Sequence, residues 1–144
     1  MVKSLGSSLN IGFISFRFQG TDGVSLETSK WAELLEEMGH KCYYFSGLSD
    51  RPPERSMVVE KAHFLEPEIR EYYYGFFDST KRTRGETQWI HSKREFFKEH
   101  LYSFINKFEI DLLIPQNVLS FPLNIPLSMA LVEIIAETSL PTIA

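Results

Sequence analysis

The stretch NIGFISFRFQGTDGVSLETSKWAELLEEMGHKCYYF, residues 10–45, decides the fold because it encodes a strand, a turn, a helix and a second strand in succession. Its first part, Asn10–Phe16, is mostly apolar on both faces, which is typical of a central strand in a parallel sheet. A turn with two glycines follows, and Val24–Met38 repeats apolar residues at helical spacing. Gly39 then ends the helix as its C′ residue, and Lys41–Phe45 follows at once as a second strand. The length suits a right-handed βαβ unit.

The helix of this unit is expected to bury one apolar stripe against the sheet. The stripe consists of residues at three- and four-residue spacing, namely Val24, Thr28, Trp31, Leu34, Leu35 and Met38. Asp22 or Ser25 is expected to cap the start of the helix, because a side-chain oxygen at that position accepts a hydrogen bond from an unpaired backbone N–H.

The rest of the chain continues the alternation of strands and helices. The further elements predicted are a short strand within Met57–Phe64, a helix from Pro67 to about Phe77, a helix over Glu86–Phe108, a strand over Asp111–Pro115, a helix over Ile125–Thr138 and a strand over Leu140–Ala144. The predicted fold class is α/β, a Rossmann-like three-layer α/β/α domain with a parallel sheet in the order 3-2-1-4-5. It covers residues 9–144, and residues 1–8 are predicted to be a flexible lead-in.

Composition favours one globular domain and argues against several classes of function. The 144 residues are 43% hydrophobic and 24% charged, so the chain can bury a core without disulfides or metals. A net charge of −4 argues against a nucleic-acid partner. The single cysteine, Cys42, is expected to be a buried hydrophobe. No apolar run reaches the roughly 20 residues of a membrane span, and the expected location is the cytoplasm, with peripheral membrane association left open.

The first candidate site is the turn Gly20-Thr21-Asp22-Gly23, between the first strand and the first helix. Ligands of doubly wound folds bind at the carboxyl ends of strands, where glycines let the backbone approach and free N–H groups point toward an anion. An ordinary turn explains these residues equally well. The dinucleotide pattern G-x-G-x-x-G and the Walker A pattern are both absent.

The second candidate site follows the fourth predicted strand and consists of Gln116, Asn117 and Ser120. Amide and hydroxyl groups at the carboxyl end of a strand can bind the hydroxyls of a sugar or similar acceptor. The alternative is that Asn117 and Ser120 only cap a turn. Both candidate loops leave the sheet at the same edge, so they are expected to converge on one crevice.

No catalytic residue, metal site or cofactor is predicted. The four histidines, His40, His63, His91 and His100, show no metal-ligand spacing, and no serine occupies a G-x-S-x-G elbow. His40 follows the end of the first helix and is expected to be structural. Tyr72–Phe77 is an aromatic run that packs in the core more often than it stacks on a sugar.

Three segments resemble the N-terminal domain of family 4 glycosyltransferases of the GT-B fold. Residues 10–39 are similar to the opening of that family, with its pattern W-A-x-x-L-x-x-x-G running from Trp31 to Gly39. DLLIPQN, residues 111–117, resembles the fourth strand and its exit loop. Residues 122–144 look like the helix and strand that come next, while the middle of the chain matches loosely.

The resemblance implies two Rossmann-like domains that close over a cleft and transfer a sugar with retention. The missing C-terminal domain would hold most of the nucleotide-sugar, which is a co-substrate and not a cofactor. Gly20–Gly23 would lie against the donor phosphates, although the family's adjacent glycines are here separated by Thr21 and Asp22. Gln116 and Asn117 would face the sugar or other hydroxyl acceptor. The chain is therefore expected to be a truncated half that is inactive alone and able to self-associate through its truncated edge.

Two other functions remain open at this point. One is a stand-alone flavodoxin-like module that binds a nucleotide or phosphate at Gly20–Gly23, and tight nucleotide binding by the isolated chain would reveal it. The other is a structural or interaction domain that uses the aromatic residues Tyr72–Phe77, and an exposed aromatic patch without a pocket at the two loops would support it.

Overall fold

A computed structural model of the chain describes residues 7–63, 66–71, 84–120 and 123–144, which form an α/β fold consistent with a Rossmann-like architecture. The strands are β1 (Asn10–Ile14), β2 (Lys41–Ser46), β3 (Ser56–Val58) and β4 (Leu112–Pro115). The helices are α1 (Gly23–Glu37), α2 (Arg84–Phe108) and α3 (Ile125–Thr138), with short 3-10 turns at Pro53–Arg55 and Glu60–Ala62. The strands are parallel throughout and lie in the order β3-β2-β1-β4.

The fifth predicted strand is represented by one parallel bridge, between Leu113 and Thr142, at the free side of β4. The place of the fifth strand beside β4 in the sheet order therefore stays a prediction. The third strand is shorter than predicted, because residues 60–62 leave the extended conformation for a 3-10 turn. Residues 67–71 are helical, as expected of a helix that begins at Pro67. The remainder of that predicted helix and the run Tyr72–Phe77 lie outside the described residues.

The two faces of the sheet carry separate parts of the core. On one face, Phe13 and Tyr44 stack with ring centroids 5.7 Å apart, and α1 covers them. On the other face, Phe45 meets Phe104 of α2 edge to face at 5.6 Å. This second face is covered by α2 and α3, which pack against each other and bury the larger of the two cores.

The buried side of α1 differs from the prediction. The residues it buries are the small ones, Ser25, Thr28 and Ala32. In contrast, Trp31 and Leu34 are each 49% exposed and Met38 is 63% exposed, so these members of the predicted stripe do not face the sheet, whereas Thr28 is buried and Leu35 packs against the core. The reason is steric, since aromatic rings on this face of the sheet already fill the layer and small helix residues fit directly above them. Asp22 caps the helix and Gly39 follows its end at φ +94°, as expected.

Candidate functional site

The two candidate loops line one cavity of about 400 Å³ at the carboxyl edge of β1 and β4. The lining residues are Ser15, Phe16, Arg17, Asp22, Gly23, Val24, Asn117 and Leu123. The structure therefore brings Asp22 and Gly23 of the first predicted site together with Asn117 of the second. Gly20, Thr21, Gln116 and Ser120 do not line it.

Two backbone N–H groups at the β1–α1 loop already donate hydrogen bonds to carboxylates. The backbone N–H of Gly20, at φ +80°, donates to Asp50 Oδ2 at 3.2 Å. The backbone N–H and the hydroxyl of Ser25 both donate to the Asp22 carboxylate, at 2.9 and 3.1 Å. Within the predicted turn, the N–H group of Gly20 is therefore already bound and is not free to contact an anion. A carboxylate of the protein itself occupies the start of α1.

Arg17 is the residue that sequence reasoning missed. Its Nε lies 3.3 Å from Asp22 Oδ2, and it is the only cation among the described residues that line the cavity. Partial burial raises the pKa of Asp22, but hydrogen bonds from Ser25 and the positive charge of Arg17 outweigh that effect and lower it. The sequence did indicate this residue, because Arg17 is a basic residue three positions after the end of β1, at the edge of the sheet where ligands of this fold bind.

The β4–α3 loop contributes one side chain and a turn. Asn117 has φ +66°, a left-handed conformation that asparagine tolerates better than most residues. The backbone N–H of Gln116 donates to Ile14 O at 2.7 Å, which ties the loop to β1. The N–H of Ser120 donates to Asn117 O at 3.2 Å, so the turn alternative accounts for Ser120.

His63 lies near this edge of the sheet. Gly47, the residue after β2, donates its N–H to Phe16 O at 2.9 Å, and the backbone of His63 packs directly against Gly47. Burial lowers the pKa of His63, and the positive charge of Arg17 lowers it further. The field of Arg17 therefore reaches a second group that can carry positive charge.

Two of the other histidines, His40 and His100, contact neighbouring parts of the fold. His40 Nδ1 accepts a hydrogen bond from Leu9 N at 3.0 Å, which fixes the entry into β1. His100 packs its ring against Phe96 with centroids 4.5 Å apart. No group of three or more His, Cys, Asp or Glu side chains suited to a metal ion occurs in the described part of the chain. Within the same residues, no helix combines the length and the apolarity that crossing a bilayer requires.

Cys42 is expected to resist alkylation in the folded chain. It is fully buried in β2, and burial together with the charge of Glu36 raises the pKa of its thiol to about 12. Because the thiolate is the reactive species, iodoacetamide at pH 8 should label Cys42 only after the protein is unfolded in guanidinium chloride. Mass spectrometry with and without denaturant measures this, and rapid labelling of the folded chain would show that β2 opens locally.

The chain is distantly similar to a known sugar-transferring enzyme. It is 27% identical over 125 residues to mannosylglucosylglycerate synthase, a glycosyltransferase of Thermotoga maritima. The matched stretch covers 85% of this chain and 29% of that protein. No protein-family model matches the chain, and no solved structure matches it. The similarity supports a relation to glycosyltransferases, and the chain spans less than a third of the length of this relative.

Proposed function

We infer that the chain is the acceptor-side, N-terminal half of a GT-B glycosyltransferase of family 4 that moves a sugar from a nucleotide-sugar to an acceptor with retention. One observation carries the proposal. A stretch with distant similarity to a glycosyltransferase folds so that its two candidate loops line a single cavity at the carboxyl edge of a parallel sheet. Sugar-binding and nucleotide-binding sites of such folds occupy this edge.

The cavity suits an acceptor better than a nucleotide diphosphate. The N–H groups of Gly20 and Ser25 are already bound to carboxylates, so they are not available to cradle phosphates. The donor is therefore assigned to a further domain, and the 144-residue chain is proposed to bind nucleotides weakly and to be inactive alone.

Titration of the ¹⁵N-labelled chain with nucleotide-sugars, free nucleotides and simple sugars tests this proposal. We expect sugars to shift the amide resonances of Gly23 and Asn117 and nucleotides to cause small changes. Asn117→Gly keeps the left-handed backbone but removes the amide group, so it should weaken sugar binding. Ser120→Ala lies outside the cavity and serves as the matched control. Tight nucleotide binding by the isolated chain would instead favour the flavodoxin-like module.

A further inference from the structure

We propose that the cavity is an oxyanion site in which Arg17 binds the carboxylate or phosphate of an acidic sugar, with Asp22 holding the guanidinium in place. The oxyanion site stands on the geometry of the cavity. Naming its ligand a sugar acceptor rests on the proposed function. The two parts can fail separately, and the experiment below distinguishes them.

The first support is the way Arg17 is anchored. Asp22 contacts the guanidinium at Nε, and the two terminal nitrogens of Arg17 make no hydrogen bond or ion pair within the described part of the chain. Those two nitrogens are the pair that holds a carboxylate or phosphate in bidentate fashion. Asp22 is itself fixed by two hydrogen bonds from Ser25, so it presents a fixed carboxylate to the guanidinium of Arg17.

The second support is the charge balance at the cavity. The carboxylate of Asp22 faces the start of α1, where unpaired N–H groups contribute about half a positive charge. The helix start and Arg17 together therefore outweigh Asp22 and leave a net positive field.

The third support is a buried polar group in the lining. Ser15 is 3% exposed and lines the cavity, and its backbone N–H is bound to Phe45 O at 3.0 Å. A serine hydroxyl both donates and accepts hydrogen bonds, so it can bind an oxyanion or a hydroxyl group of a ligand in the cavity. Asn117 adds an amide group to the lining of the cavity.

A ligand with one oxyanion and several hydroxyl groups fits this arrangement. A sugar acid or a sugar monophosphate places a charged group on the guanidinium and neutral hydroxyls near Ser15 and Asn117. A nucleoside diphosphate carries more negative charge than one guanidinium beside Asp22 can balance. The structure therefore favours an acidic sugar over a diphosphate.

The test uses the full chain, with glucuronate, glucose 6-phosphate, inorganic phosphate, uridine diphosphate and glucose as probes. Glucose is the neutral control for glucuronate. We expect glucuronate or glucose 6-phosphate to shift Gly23 and Asn117 at concentrations about tenfold lower than glucose does, since a charge-assisted bidentate pair is stronger than neutral hydrogen bonds. Arg17→Gln should remove this difference, and Arg17→Lys should restore it in part.

His63 provides a second readout that a purely structural role of Arg17 would not produce. The bound anion neutralises Arg17, so the pKa of His63 measured by NMR should rise when the acidic sugar is added. In Arg17→Gln the pKa of His63 should already be higher and should not respond to the sugar. Arg55→Gln is the control because Arg55 pairs with Glu36 on the surface, away from the cavity.

Equal binding of glucuronate and glucose, unchanged affinity in Arg17→Gln, or a preference for uridine diphosphate would overturn the assignment of an acidic sugar. Arg17-dependent binding of inorganic phosphate with no sugar binding would keep the oxyanion site and remove support from the acceptor-side function. Thermal melting and the amide spectrum establish that each variant is folded before its binding is compared.

Discussion

Replacing Gly47 by alanine is expected to lower the free energy of unfolding by about 3 kcal/mol, as over-packing of a rigid interior does. A Cβ atom on Gly47 would lie 2.2 Å from the backbone nitrogen of His63 and 2.7 Å from its Cα. The backbone cannot move aside freely, because Val59 N bonds to Ser46 O at 2.8 Å and Gly47 N bonds to Phe16 O at 2.9 Å. Urea denaturation followed by tryptophan fluorescence measures the change.

Gly23→Ala is the matched control for this substitution. Gly23 is the first residue of α1, and nothing lies within 4 Å of a Cβ added there. Its effect on the free energy of unfolding should stay within about 0.5 kcal/mol, since alanine also favours the helix. If Gly47→Ala were as stable as Gly23→Ala, the backbone of His63 would not be packed closely against the end of β2.

The βαβ unit could be predicted from the sequence because local residues determine it. Asp22 caps α1 through its own carboxylate, and Gly39 leaves the helix at a positive φ that glycine adopts without strain. The apolar runs at residues 10–16 and 111–115 likewise predicted β1 and β4, since short apolar runs are typical of strands in a parallel sheet. The bounds of α3, Ile125–Thr138, agree with the prediction because Asn124 and Pro126 mark its start in the sequence.

The buried side of α1 could not be predicted in this way. Periodicity identified a stripe containing Trp31, Leu34 and Met38, yet these side chains are half exposed or more. Which side of a helix is buried depends on what the opposing layer already contains. Here that layer holds Phe18 and Tyr44, whose rings meet edge to face at 5.5 Å, and Phe13 stacked beside them. The small residues of α1 fit over these rings, and no property of the helix sequence alone reveals that.

The candidate site was only partly accessible to sequence reasoning for a related reason. The sequence places Gly20–Gly23 and Asn117 at strand ends, and the sheet order brings part of both loops to one cavity. Whether an N–H group is free depends on distant partners, however, as with Gly20 and Asp50, which are 30 residues apart. The proposed role of Arg17 likewise follows from its distance to Asp22, which the spacing of the two residues along the chain does not fix.

Glu68→Gln is expected to destabilise the chain by about 2 kcal/mol at neutral pH. Glu68 accepts a hydrogen bond from Trp89 Nε1 at 2.6 Å, lies 3.1 Å from Lys93 Nζ, and pairs with Lys61. It thereby ties residues 66–71 to α2. Glutamine keeps an acceptor for Trp89 but loses both ion pairs. The figure allows for solvent screening, because the Glu68 side chain is 31% exposed.

The pH dependence of this destabilisation shows whether Glu68 stabilises the fold through its charge or through its packing. Partial burial raises the pKa of Glu68, but hydrogen bonds from Lys61, Trp89 and Lys93 outweigh it and lower the pKa from 4.5 to about 2. A carboxylate with a depressed pKa stabilises the fold fully above pH 4.5, and its contribution disappears as the pH falls toward 2. The stability difference between wild type and Glu68→Gln should therefore shrink steadily over that interval in urea denaturation series.

Glu36→Gln is the control, because it removes an exposed pair with Arg55 and should differ from wild type by less than about 0.5 kcal/mol at every pH. A difference for Glu68→Gln that stays constant from pH 7 to pH 2 would mean that the lost packing of the side chain, and not its charge, holds residues 66–71 against α2.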